Sequence, residues 1–154
     1  MPPNGDIARM AKRRILLVGE PETAAVLKDY LDHIGIYESE SIEHCDDALM
    51  LLRRQPFDLV LLMSLNATWR TWSSLSAHAQ HIEGSSAILF LKQLQASLKP
   101  PSVVVVSGSL RPEAQAAALA NGAVAWFDKP IILPEFGRFL ASVLERPKSQ
   151  AGGQ

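Results

Sequence analysis

Short apolar runs alternate along this chain with segments of helical period, and that alternation limits the fold more than any other feature. RILLVG, Arg14 to Gly19, is the first such run. The next segment, Pro21 to Ile34, places Val26, Leu27, Tyr30, Leu31 and Ile34 on one helical face. Pro21 and Glu22 suit its first turn, where a missing amide costs nothing and a carboxylate meets the positive end of the dipole; Gly35 suits its stop. YESESI reads as a second strand, near an edge because of its charges. Asp46 to Arg54 is a helix with Ala48, Leu49, Leu51 and Leu52 inward, ended by Pro56. LVLLM follows as a central strand.

The second half repeats the scheme. Gly84 opens a helix carrying Ile88, Leu91, Leu94 and Leu98, and SVVVVSG is a β-branched strand. Pro112 to Leu119 is an alanine-rich helix stopped by Asn121 and Gly122, AWFDKP is the fifth strand, and Phe136, Phe139, Leu140, Val143 and Leu144 give the last helix a full core-facing stripe. Five strands and five helices in strict alternation imply an α/β domain. With right-handed crossovers it is a doubly wound parallel sheet with helices on both faces, its functional groups at the carboxyl ends of the strands.

A chain of 154 residues, 47% hydrophobic and 20% charged, suits one domain with a substantial core. That body is expected over 13–146. Residues 1–12 form an N-terminal tail and 147–154 a C-terminal tail or linker, because neither has hydrophobic periodicity. Fifteen Lys and Arg against sixteen Asp and Glu leave a formal net charge of −1, so no whole-chain field favours nucleic acid or a membrane surface. The N-terminus lacks a signal-type apolar core and no stretch is apolar for long enough to span a bilayer, so a cytoplasmic location is expected. A single cysteine, Cys45, leaves no internal disulfide, and a reducing compartment fits it. His78 and His81 share a helical spacing without an acid or thiol to complete a metal set, and Cys45 beside His44 faces away from it.

The strand ends carry Gly19 and Glu20, then Met63 and Ser64, then Ser107 and Gly108, then Lys129 and Pro130. An acid, a hydroxyl and a lysine converging there form part of a phosphoryl-transfer constellation. PFDLVLL, VVVVSG and ANGAVAWFDKP together resemble the response-regulator receiver domain of two-component signalling, over about 13–146. The resemblance implies a flavodoxin-like (βα)5 sheet of order 2-1-3-4-5. It also implies two acids after the first strand to hold Mg²⁺, a phosphoacceptor aspartate after the third, a Ser or Thr after the fourth and a lysine after the fifth.

Ser107 and Lys129 stand where the family has its switch hydroxyl and lysine, and Trp126 where it has its switch aromatic. The acid pair, however, is Gly19 and Glu20, and the acceptor position is Met63. A thioether can neither attack phosphorus nor bind a hard cation, and one carboxylate of three holds Mg²⁺ weakly. Ser64 points to the opposite face of the strand and does not replace the acceptor. A degenerate pseudo-receiver is therefore expected: non-enzymatic, without metal or cofactor, and acting as a phosphorylation-independent protein-interaction module of the bacterial phosphorelay type. Family practice implies protein partners, including a homodimer through the last two helices and last strand. Lys129, lacking phosphate, is expected to pair with Glu20, and Trp126 to be fixed either inward as core or outward as an anchor.

Two other classes stay open, a receiver phosphorylated at an atypical site and a flavodoxin-like binder of a small molecule or anion near Lys129 and Ser107. A nucleotide or flavin is disfavoured because GEPE is not a glycine-rich phosphate loop. The stretch from Asn66 to Ile82 exceeds the family's length, and its Trp69, Trp72 and Leu75 recur every three residues. It is expected to cover the degenerate pocket or anchor a partner, the alternative being a tolerated surface loop.

Overall fold

The computed structural model describes residues 12–63, 85–97, 100–108 and 112–144. The expected insertion over 66–82 with Trp69 and Trp72, Ser64, Leu98, and the expected tails except Lys12 lie outside the described residues. The elements run β1 (Arg13–Val18), α1 (Pro21–Ile34), β2 (Tyr37–Ile42), α2 (Cys45–Arg54), β3 (Leu59–Leu62), α3 (Ser85–Gln95), β4 (Ser102–Ser107), α4 (Pro112–Ala120), β5 (Ala123–Asp128) and α5 (Leu133–Leu144). All strand pairs are parallel, in the order β2-β1-β3-β4-β5. The expected sheet is the observed one.

Strand composition follows position in the sheet. Central β3 is buried along its whole length, and β4 at all but its first residue, because helices cover both faces. Edge strands β2 and β5 are instead buried only at their first residues, Tyr37 and Ala123, and Glu38 and Glu40 of β2 are exposed. Lys28 of α1 reaches over β2, donating from Nζ to the Ser39 carbonyl at 2.6 Å and to Ser39 Oγ at 3.2 Å.

Two apolar layers sandwich the sheet. Leu16, Val60, Leu62 and Val105 pack with Cys45, Ala48, Phe90 and Ala118 beneath α2, α3 and α4. Ile15, Leu17, Leu61 and Val104 pack with Leu27, Leu31, Phe136 and Leu140 beneath α1 and α5. Helix α1 starts with Pro21 in its first turn and ends at Gly35, whose amide bonds the Leu31 carbonyl at 3.1 Å. Its inward face is Ala24, Leu27 and Leu31. Val26, expected inward, is 62% exposed, because it lies about 100° around the helix from Leu27.

Between β4 and β5 the register jumps: Val103 faces Ala123 but Val104 faces Ala125. The extra residue, Val124, is exposed. This bulge resets the side-chain phase, so that Trp126 joins the α2–α4 layer while Ala125 and Phe127 join the α1/α5 layer. Phe127 meets the rings of Phe136 and Phe139 edge-on, at centroid distances of 5.3 and 5.1 Å.

Candidate functional site

The register brings Val18, Leu62 and Val105 side by side and Ser107 opposite Asp128. Gly19, Met63, Ser107 and Lys129 therefore gather at one end of the sheet. The Met63 amide donates to the Val18 carbonyl at 2.9 Å, prolonging the pairing of β3 with β1, and the Gly19 amide donates to the Ile42 carbonyl at 3.0 Å. The Met63 side chain is 1% exposed and belongs to the layer with Ala24 and Leu27.

Gly19 has φ +151°, a conformation that side-chain-bearing residues rarely adopt. A Cβ there would lie 2.6 Å from Met63 Cβ and 3.0 Å from its Cγ. Gly19 and Met63, the two positions at which the expected receiver acids are missing from the sequence, thus meet in space. The methionine puts hydrocarbon directly after β3, where the resemblance implies an acceptor, and its contact with the Gly19 backbone leaves no room for an acidic side chain at that residue. Among the described residues, no three His, Cys, Asp or Glu side chains gather in a way that could hold a metal ion.

Glu20 is exposed and forms the N-cap of α1 through its backbone, accepting the Ala24 amide at 3.0 Å, without a side-chain cap bond. Ser107 is buried, and its carbonyl accepts the Lys129 amide at 3.0 Å. The Lys129 side chain is exposed, and among the described residues it makes no ion pair with Glu20 or any other carboxylate. This corrects the expected Glu20–Lys129 pair. The expectation assumed a partly buried ammonium, whereas one in water needs no partner.

Trp126 falls between the two expected positions. It is half-buried against the α2–α4 layer, and its indole Nε1–H donates to Asp128 Oδ1 at 2.9 Å. Asp128, at the exposed end of β5, holds the ring in place. Cys45 is buried, and desolvation, with Asp46 adding repulsion, pushes its thiol well above the usual range, so it is no nucleophile.

Sequence reasoning missed a groove of about 690 Å³ beside this site, between α1 and the segment joining β5 to α5. Val26, Leu27, Val106, Ile131 and Leu133 contribute apolar walls, and Lys129 lies in the lining. The available signal was the apolar run Ile131-Ile132-Leu133 between Pro130 and Pro134, in a segment where polar residues are usual. Tyr30 ties the two sides together: its hydroxyl donates to the Leu133 carbonyl at 2.9 Å, and Gly137 allows the close approach.

The sheet order, the helices on both faces and the convergent strand ends define the flavodoxin-like fold of response-regulator receiver domains. Solved structures show the same fold. The chain superposes on the signal receiver domain of a protein assigned as a LuxO repressor from Vibrio parahaemolyticus with TM-score 0.67 and 21% identity, over 93% of this chain and 98% of that one. It superposes on a CheY-like response regulator receiver domain from Methylobacillus flagellatus with TM-score 0.62 and 22% identity, over 86% and 98%. For the BeF3-activated N-terminal receiver domain of RstA from Klebsiella pneumoniae the TM-score is 0.68 at 17% identity, over 87% and 100%. No family model and no curated protein matches the chain.

Proposed function

We propose that this chain is a receiver-like interaction module of two-component or phosphorelay signalling whose state is not set by phosphorylation of an aspartate in the usual pocket. The observation that carries this reading is the buried Met63 side chain at the acceptor position, packed against a Gly19 backbone that excludes an acidic side chain. Phosphoryl transfer to a receiver needs a carboxylate nucleophile and oxygen ligands for Mg²⁺, and methionine supplies neither. What remains is a folded platform that recognises proteins and does no chemistry of its own. Exposed Leu119 on α4 and Val124 on β5 support docking of a protein partner or second copy through the α4, β5 and α5 side. Among the described residues no helix is long and apolar enough to cross a membrane; action in the cytoplasm is part of the proposal.

Intact-mass measurement after incubation with acetyl phosphate and Mg²⁺, beside a receiver carrying the full acid set, tests this reading. The expected result is an unmodified chain under conditions that phosphorylate the control. A stoichiometric gain of one phosphoryl group would overturn it in favour of an atypical acceptor.

A further inference from the structure

The groove between α1 and the β5–α5 segment combines three properties. Its volume, about 690 Å³, lies within the range of small-ligand sites. Its walls are mostly apolar, and Val26 and Ile132, 62% and 58% exposed, leave uncovered hydrocarbon beside it. Lys129 also lines it, and no carboxylate among the described residues, Glu22 of the same lining included, forms an ion pair with its ammonium.

We propose that this groove binds an amphipathic monoanion, an apolar chain or ring system bearing one carboxylate, with the apolar body against Val26, Leu27, Ile131 and Leu133 and the carboxylate on Lys129. The charge pattern selects this class. A carboxylate gains a charge-assisted hydrogen bond from the ammonium, and the hydrocarbon gains burial that a purely polar anion cannot use. Glu22, also in the lining, repels a small dianion such as phosphate more than a monoanion whose affinity comes from its tail. Ser107, expected beside Lys129 in an anion site, is not in the lining; its neighbour Val106 is. The lining is also small for a protein, since stable interfaces use about 20–30 residues a side. Such a ligand gives the module an input that requires no phosphoryl chemistry.

Isothermal titration of the full chain with octanoate, decanoate, decanol and inorganic phosphate, all below micelle-forming concentrations, tests the proposal. Decanoate is expected to bind at submillimolar concentration, about fourfold more weakly per methylene removed, and about tenfold more tightly than decanol. Lys129→Met abolishes the preference for decanoate over decanol and leaves decanol unchanged. Val26→Asp, at a position already exposed, weakens both without unfolding the chain, and Glu22→Gln strengthens decanoate a few-fold. Absence of decanoate binding, equal affinity for decanoate and decanol in the unsubstituted chain, no effect of Val26→Asp, or tighter binding of phosphate than of decanoate would each overturn it. The phosphodonor experiment fails or succeeds independently, because the titration involves no phosphoryl transfer.

Discussion

Gly19→Ala examines the contact between Gly19 and Met63 on which the proposed phosphorylation independence rests. Alanine at φ +151° costs about 1–3 kcal/mol of backbone strain. Its Cβ would then overlap Met63 Cβ at 2.6 Å, and relieving that contact in a packed layer adds about 1–3 kcal/mol. The reduced freedom of the unfolded chain returns about 0.4–1 kcal/mol. The net loss is about 1–5 kcal/mol, centred on about 3 kcal/mol, read as a lower urea midpoint at unchanged slope and a fall in Tm of about 10 °C. The partner of the clash can be identified. In a Met63→Gly background the overlap is gone and only the strain remains, so the cost of Gly19→Ala falls by about 1–3 kcal/mol. Met63→Ala keeps the overlapped Cβ and relieves little. Gly19→Asp should behave like Gly19→Ala, showing that an acid cannot be restored here by substitution alone. A Gly19→Ala variant within about 0.5 kcal/mol of the parent, or equal costs in the parent and Met63→Gly backgrounds, would refute the reasoning.

Other perturbations have equally defined outcomes. Lys28→Met removes the ammonium from the Ser39 carbonyl on the open border of β2, so it should cost about 1–2 kcal/mol and promote self-association in light scattering. Gly137→Ala places a methyl group against the Tyr30 hydroxyl and breaks its bond to Leu133; a loss of about 1–3 kcal/mol is expected, and Tyr30→Phe should make the two substitutions non-additive. Phe136→Ala empties the centre of the α1/α5 layer and should lower stability by about 3–5 kcal/mol in urea titration. Burial raises the Cys45 pKa, so at pH 8 the thiol stays protonated and a disulfide reagent should label it only as fast as the chain unfolds; rapid labelling of the native protein would contradict its placement.

Local pattern determined the elements and the doubly wound parallel scheme, while the strand order was what the resemblance to receivers implied. Short apolar runs and helical segments alternate along this chain, and their alternation dictates parallel strands with crossover helices. Unbroken apolar character in LVLL and VVVV marks central strands, and the charges of YESESI mark an edge. The place of Met63 was legible as well, because a strand end is located by counting, and the structure sets Met63 directly after β3. What the sequence could not show depends on contacts between residues far apart in the chain. The φ of Gly19 and its contact with Met63 require β1 and β3 to be in register. The side taken by Trp126 depends on the bulge at Val124, which shifts the phase of β5 while leaving its composition that of any strand. Val26 was legible as apolar but not as exposed. Its surroundings are set by the path of 129–133, on the far side of the groove, and the same path leaves Lys129 in water instead of paired with Glu20. Periodicity encodes which element forms and which stripe faces the sheet; register and loop path, fixed only when the layers pack, decide which side chains meet at its end.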